Sequence, residues 1–330
     1  MDGALPAGQG EAPLNRILVT GAGGFIGKRL ASALKKREPT ELRLASRAPD
    51  QLVKTAKTSF FAIETIDGAT DWTLAVRDIQ FVVHMAARVH VMRESATDAL
   101  AEFRKINTDG TLRLARQAAA AGVQRFVFLS TVGVFGNDSN EVYNEASAPS
   151  PFTPYAMSKL EAEAGLSEIS RRTGMELVII RPPLVYGPSA PGNFSRLAEA
   201  IRWGIPLPLA CVSNRRSLIG VDNLVDFIMV CVTHQSAANQ LFLVSDGEDI
   251  STPDLIIRMA KAMHRPSRLL PVSTGILQGA GTLVGKRHLI QQLTGNLQLD
   301  CGKACAMLGW TPPLSVDEGL SRAFGNVSPS

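Results

Sequence analysis

Residues 16–37 read RILVTGAGGFIGKRLASALKKR: an apolar run, a turn carrying Gly21, Gly24 and Gly27, and then directly an amphipathic helical pattern. Glycines so placed let the backbone turn tightly, let a pyrophosphate approach the helix N-terminus, and let the helix pack closely on the strand. The segment reads as the opening of a dinucleotide-binding βαβ unit, a purely structural turn being the alternative. The runs ELRLAS, FVVHMAA, RFVFLST and ELVIIRP follow, separated by helical stretches such as FRKINTDGTLRLARQAAAAG and YAMSKLEAEAGLSEISRRTG. Apolar strands without strict alternation, joined by helices, predict a parallel sheet covered on both faces. The expected fold class is therefore α/β, a doubly wound Rossmann sheet.

At 330 residues the chain exceeds what one hydrophobic core usually spans, so a smaller second lobe is expected. After Pro182 the pattern loosens, and Pro188, Pro191, Pro206 and Pro208 punctuate loops. The expected organisation is a disordered extension over 1–14 and a dinucleotide-binding domain over 15–186, to which 217–246 returns. A mixed α/β substrate lobe is expected over 187–216 and 247–330. The chain's start has no positively charged n-region or continuous apolar core, so it does not read as a signal peptide. No apolar run approaches the roughly 18 residues that span a bilayer, and a cytoplasmic protein with no membrane partner is expected. Net charge is +4 with basic residues spread along the chain, which gives no indication of nucleic-acid binding. Cys211, Cys231, Cys301 and Cys305 form no C-x-x-C pair and the five histidines are scattered, so no metal site is expected.

Two features carry chemistry. At the end of the second strand, where a carboxylate would bind the ribose hydroxyls of NAD, the chain reads LASRAPD. Ser46 and Arg47 offer a hydroxyl and a guanidinium, which suit a 2′-phosphate and favour NADP(H), with NAD(H) the alternative. In PYAMSKLEAEAGL, Tyr155 and Lys159 lie four apart and share a helix face. A cation beside a phenol favours the phenolate. The other reading is an amphipathic surface helix that happens to begin with a Tyr.

The glycine turn, HMAA, NTDGT, FLSTVGVFG, YAMSK and RPPLVYGP occur in one order at sensible spacings. Over residues 15–325 the chain resembles an extended short-chain dehydrogenase/reductase of the NAD-dependent epimerase/dehydratase family. The resemblance implies that Tyr155 is the catalytic acid/base and that Lys159 lowers its pKa and binds the nicotinamide ribose. Thr131, or its neighbour Ser130, would orient the sugar oxygen, with Asn107 in the supporting hydrogen-bond network. Phe25, Ile26, Ile66, Ala86, Ala87 and Pro182 would line the cofactor. Asn193 and Phe194 would meet uracil and diphosphate, and Arg216 the diphosphate. LTGNLQLD lacks the Arg that family epimerases carry there, which leaves the diphosphate clamp incomplete.

Family dehydratases carry Asp-Glu after the strand-five Thr. Here Val132 and Gly133 stand in those places and neither transfers a proton, so dehydration is excluded. The wording of HMAARVHVM, GNFSRL, NRRSLIGVDNLVD and LVSDGEDISTPDL resembles the UDP-glucose 4-epimerase-like group that includes 4-ketoreductases forming UDP-N-acetyl-quinovosamine for surface polysaccharide (O-antigen). The implied reaction is NAD(P)H-dependent reduction of UDP-4-keto-6-deoxy-N-acetylglucosamine. A UDP-glucose or UDP-N-acetylglucosamine 4-epimerase with retained NAD is the alternative, and a non-catalytic NADP-binding regulator the second. The resemblance also implies a homodimer through a four-helix bundle, with Ala162, Ala164 and Gly165 permitting close approach.

Overall fold

The computed structural model describes residues 15–37, 40–47, 57–89, 98–136, 138, 141–283 and 287–325. The expected N-terminal extension lies outside the described residues. The first half runs β1 (Asn15–Thr20), α1 (Phe25–Leu34), β2 (Thr40–Ser46), β3 (Thr58–Ala62), α2 (Thr73–Val76), β4 (Phe81–His84), α3 (Ala99–Phe103), a π-helical turn (Arg104–Gly110), α4 (Thr111–Ala120), β5 (Arg125–Leu129) and a 3-10 turn (Val132–Phe135). There follow β6 (Val142–Tyr143), α5 (Pro154–Thr173), β7 (Glu176–Arg181), β8 (Leu184–Tyr186), α6 (Asn193–Arg202), β9 (Arg216–Gly220), α7 (Val221–Thr233), β10 (Gln240–Leu243) and β11 (Asp249–Ile250). The chain ends with α8 (Thr252–Ala262), α9 (Thr274–Leu283), α10 (Arg287–Thr294), β12 (Gln298–Leu299), α11 (Gly302–Leu308) and α12 (Val316–Phe324).

Seven strands form one parallel sheet in the order β10-β7-β5-β4-β1-β2-β3. This is the doubly wound sheet expected from the strand and helix pattern. Successive strand residues point to opposite faces, and the core divides accordingly. Ile17, Val19, Val83, Val127 and Val178 pack with Leu30, Leu224 and Ile228, under α1 and α7. Leu18, Val82, Phe126, Phe128 and Leu177 pack with Leu114, Ala162 and Leu166, under α4 and α5. The winding reverses between β1 and β4, whose last residues Thr20 and His84 lie in register. At such a reversal the loops leaving the two strands part and open a crevice at the carboxyl edge.

α5 is set by local chemistry. The Thr153 side chain accepts a hydrogen bond from the Ala156 N–H, Pro154 takes the first turn, and Gly174 ends the helix at φ +77°. Beyond β7, Pro182 and Pro183 lack the N–H groups a ladder requires, and the chain leaves the main sheet there. β8 instead pairs with β9, and β9 with β11, in a three-stranded sheet. Segment 217–246 is thus divided: β9 belongs to the small sheet, while α7 and β10 pack on or join the large one. A separate core of Tyr186, Phe194, Ile201, Ile256, Met259 and Phe324 forms beneath α6, α8 and α12.

Candidate active site

The glycine turn lies at the reversal point. Gly21 has φ +71°, and a Cβ there would come 2.8 Å from the Ala86 backbone nitrogen, so only glycine lets β1 leave this close to β4. A Cβ on Gly27 would fall 2.1 Å from the Gly21 carbonyl oxygen, which fixes how closely α1 packs on the turn. The Gly24 N–H donates to the Gly21 carbonyl at 2.9 Å. No side chain caps α1, and its first turn holds no acidic residue. An uncapped helix N-terminus behind a bare-backbone turn is a site for an anion, so these residues fit a dinucleotide pyrophosphate. Phe25 and Ile26 are half-buried at the start of α1, Phe25 packing against both cores.

The remaining expected cofactor residues surround this turn. Ser46 is buried at the end of β2, its Oγ 3.1 Å from where a Gly23 Cβ would stand, and Arg47 is exposed next to it. Ala86 is buried and Ala87 half-buried after β4. The Ile66 side chain presses on Gly110, where an added Cβ would lie 2.6 Å from its Cγ2. Pro182 is buried, and its carbonyl accepts the Val132 N–H at 3.1 Å.

At the start of α5 the Tyr155 ring meets Phe103 edge-on, with centroids 6.3 Å apart. Burial pushes the Tyr155 phenol up to about 12. Lys159, one turn further, is 1% exposed, and its Nζ lies 3.8 Å from the centroid of the Phe128 ring. Burial brings the ammonium down to about 7, against the pull of the Glu163 carboxylate. Desolvation dominates both groups, and the resting phenol is protonated.

Beneath them, the His84 ring nitrogens meet Thr20 Oγ1 at 2.7 Å and Thr111 Oγ1 at 2.8 Å. Burial first, and then Lys159, brings the His84 imidazole down to about 3, so it is neutral. Its ring stacks on Phe128 at 5.9 Å, which ties the support of Lys159 to β1, β4 and α4.

The two hydroxyls after β5 have different surroundings. Ser130 is buried, and its Oγ donates to Glu163, which is also paired with the buried Arg181 through an Nε–Oε1 contact of 3.1 Å. The Arg181 guanidinium lies 4.9 Å over the Phe135 ring. Ser130 is thus turned into an internal clamp between β5, α5 and β7. Thr131 is half-buried on the other side, its Oγ1 accepting the Gly133 N–H at 3.1 Å. A Cβ on Gly133 would lie 3.3 Å from Thr131 Oγ1 and 3.8 Å from Ala156 Cβ, so the Thr131 turn lies against the first turn of α5. Val132 is buried and apolar.

Asn107 is wholly buried in the π-helical turn, where it accepts the Arg88 N–H at 2.8 Å and donates to the Arg88 carbonyl and to Ser158 Oγ, both at 3.0 Å. It joins the strand-four loop to the catalytic-helix candidate. Glu163, Arg181, His84 and Phe128 were not singled out from the sequence. The one available signal was the continued i, i+4 ladder from Tyr155 through Lys159 to Glu163.

On the second lobe, Asn193 is half-buried and donates to Gln292 Oε1 at 2.8 Å. The Arg216 Nη1 donates to the Gly295 carbonyl at 2.8 Å, and burial lowers its guanidinium pKa. Phe194 departs from its expected role: its ring is buried between Tyr186 and Phe324, at 5.7 and 5.6 Å, because it lies on the inward face of α6. Only its backbone is free to face a ligand.

The fold and this constellation define an extended short-chain dehydrogenase/reductase. The family model for the NAD dependent epimerase/dehydratase family matches residues 17–244, and the chain belongs to that family. It is 38% identical to a UDP-glucose 4-epimerase of Vibrio cholerae over 93% of each chain. It is 26% identical to the N-acetyl-alpha-D-glucosaminyl-diphospho-ditrans,octacis-undecaprenol 4-epimerase of Escherichia coli O157:H7 over 94% of each. In fold it is similar to the UDP-glucuronic acid 4-epimerase of Bacillus cereus solved with NAD, at TM-score 0.77 and 21% identity over 94% of this chain and 97% of that one.

Proposed function

We propose that the protein is an NAD(P)-dependent oxidoreductase acting at the 4-position of a UDP-sugar, most directly as a 4-ketoreductase on UDP-4-keto-6-deoxy-N-acetylglucosamine. The observation that carries this reading is Tyr155 and the buried Lys159 one turn apart on α5, with the half-buried Thr131 turn against the first turn of that helix. In the reductive direction Tyr155 donates the proton that the sugar oxygen needs, while Thr131 orients that oxygen. Gly21, Gly24 and Gly27 would hold the pyrophosphate, and Ala86 and Ala87 would lie along the cofactor. A bound nicotinamide dinucleotide supplies or accepts the hydride. Ser46 and Arg47 support NADP(H), and the NAD in similar folds supports NAD(H) as the alternative. Asn193, the Phe194 backbone and Arg216 would bind the uridine diphosphate.

A 4-epimerase with retained NAD is the second reading, favoured by the stated activity of the Vibrio cholerae relative. It uses the same three side chains with no net change in cofactor. Incubation with the 4-keto sugar and NADPH or NADH, followed at 340 nm, separates the two. Stoichiometric oxidation of the cofactor supports the reductase. Interconversion of UDP-glucose or UDP-N-acetylglucosamine with its 4-epimer, without added cofactor, replaces it by the epimerase. Tyr155→Phe is expected to lower turnover by about 100-fold or more, as loss of a general acid does, and full activity in that variant refutes both.

A further inference from the structure

The even spread of basic residues along the chain conceals an uneven spread of acidic ones. Positions 255–299 contain no Asp or Glu. Within this stretch lies α9, TGILQGAGTL, which has no charged residue. Leu277 and Gly281, four apart, are its buried positions, whereas Ile276 and Leu283, seven apart, share its outer side at 66% and 90% exposure. Cβ atoms added at Gly275 and Gly279 would meet nothing within 4 Å, so the outer side is open.

Further exposed apolar side chains lie just before α9 in the chain and on the loop that pairs with that segment. Leu270, four residues before it, is exposed, and Arg268 beside it donates to the Gly204 carbonyl at 3.2 Å. That bond brings in the loop after α6, where Trp203 is 78% exposed and Ile205 is also exposed. Arg202 precedes Trp203, Arg265 and Arg268 precede Leu270, and Lys261 lies at the end of α8; all four are exposed, and among the described residues none is paired with a carboxylate. Glu199 is the one acidic residue of α6.

We propose that this face of the second lobe docks on an anionic lipid surface. An exposed apolar helix beside a Trp, with cations at its margin and no acid along the segment, matches an interfacial membrane contact. A second copy of the chain fits less well. A twofold interface sets the same patch against itself, and with no Asp or Glu over 255–299 this segment offers its own cations no carboxylate across such a seam. The contact is peripheral, since no helix among the described residues is long and apolar enough to cross a membrane. α10 packs on α9 and carries Gln292, the partner of Asn193, so the docking face adjoins the candidate sugar-binding end.

The full-length protein is mixed with vesicles of phosphatidylcholine alone or with phosphatidylglycerol, at low and high salt. Co-sedimentation and tryptophan emission are then read. Trp72 and Trp310 are buried, so a blue shift reports on Trp203. Binding to the anionic vesicles only, weakened by salt and accompanied by that shift, is expected. The double variant Ile276→Ser/Leu283→Ser is expected to lower the partition coefficient about tenfold or more, each side chain contributing apolar burial. Arg265→Gln/Arg268→Gln weakens binding further in low salt than in high. All four positions are exposed, so the variants fold. Absence of binding at low salt, or binding unchanged in the apolar double variant, overturns the proposal. So does an oligomer in sedimentation velocity that Ile276→Ser/Leu283→Ser dissociates without any vesicle binding. None of these readouts depends on which sugar the enzyme takes.

Discussion

At the scale of single residues, the site's chemistry is set more by burial than by charge pairing. Lys159 has its pKa brought from 10.5 down to about 7 in the fold. Between those values the unfolded chain holds a proton that the native state has released, so stability rises with pH across the window. Below about 7 the full cost of the buried ammonium is present. Lys159→Met is therefore expected to raise the melting temperature at pH 6 to 7, with the gain shrinking toward pH 10, while turnover is lost. Thermal melts across that pH range check it, and a variant less stable at every pH refutes it. The neighbouring hydroxyls separate in the same way. Ser130→Ala strips a donor from the buried Glu163 and is expected to cost about 1–3 kcal/mol of stability with little change in KM. Thr131→Val is expected to lower kcat about tenfold or more, with a stability loss of about 1 kcal/mol from the lost cap on the Gly133 N–H. Urea unfolding beside steady-state kinetics distinguishes the two, and the reverse pattern would assign the working hydroxyl to Ser130. Sequence reading could place both residues at the end of β5 but could not tell which way each pointed. That depends on Arg181, a residue 50 or so positions further along the chain, reaching back to Glu163.

At the scale of elements, the glycine turn shows why some of the fold was legible and some was not. β1, α1, β2, β4, β5 and β7 were readable because each is specified by its own residues, an apolar run, a turn or an amphipathic face, whereas the edge strand β3, TSFFA, has too short an apolar run to be singled out. Gly27 couples two such elements. Its Cβ would enter the space of the Gly21 carbonyl, a backbone atom with no rotamer to yield, so α1 would have to lift from β1. Gly27→Ala is expected to weaken dinucleotide binding at least tenfold and to cost about 1–3 kcal/mol from the overpacked contact. Calorimetric titration with NADPH and NADH checks the first, and a variant that binds as tightly as the wild type refutes it. The π-helical turn at Arg104–Gly110 was not legible, because its extra residue per turn is held by Asn107 and Thr108 bonding to Ser158 on a different helix. β9, at the start of the 217–246 segment expected to return to the nucleotide domain, lies in the small sheet for a related reason: its partner is chosen by where two prolines eject β8 from the ladder.

At the scale of the whole molecule, the helix faces show what a linear reading misses. The small residues of α5 were expected to face a partner together, but they do not share a side. Ala162 is in the chain's own core with Leu166, Gly165 faces Leu112 of α4, and only Ala164 is exposed. We propose a homodimer through the outer face of α4 and α5 with Ala164 near its centre. Arg104 and Glu161, bonded at 2.9 and 3.0 Å through the Arg104 Nε, would lie beside it. Close approach of two helices requires a small side chain at the crossing. Ala164→Arg is therefore expected to weaken self-association about 100-fold, as truncating or blocking a central interface position does. Because the residue is exposed, the monomer's melting transition should remain cooperative. Ala162→Arg, by contrast, would place a cation in the core and unfold the chain whatever its oligomeric state. Sedimentation equilibrium at micromolar concentration reads the difference: a wild-type dimer converted to monomer by Ala164→Arg supports this face. A dimer indifferent to that substitution moves the interface elsewhere, and one dissociated by Ile276→Ser/Leu283→Ser moves it to α9.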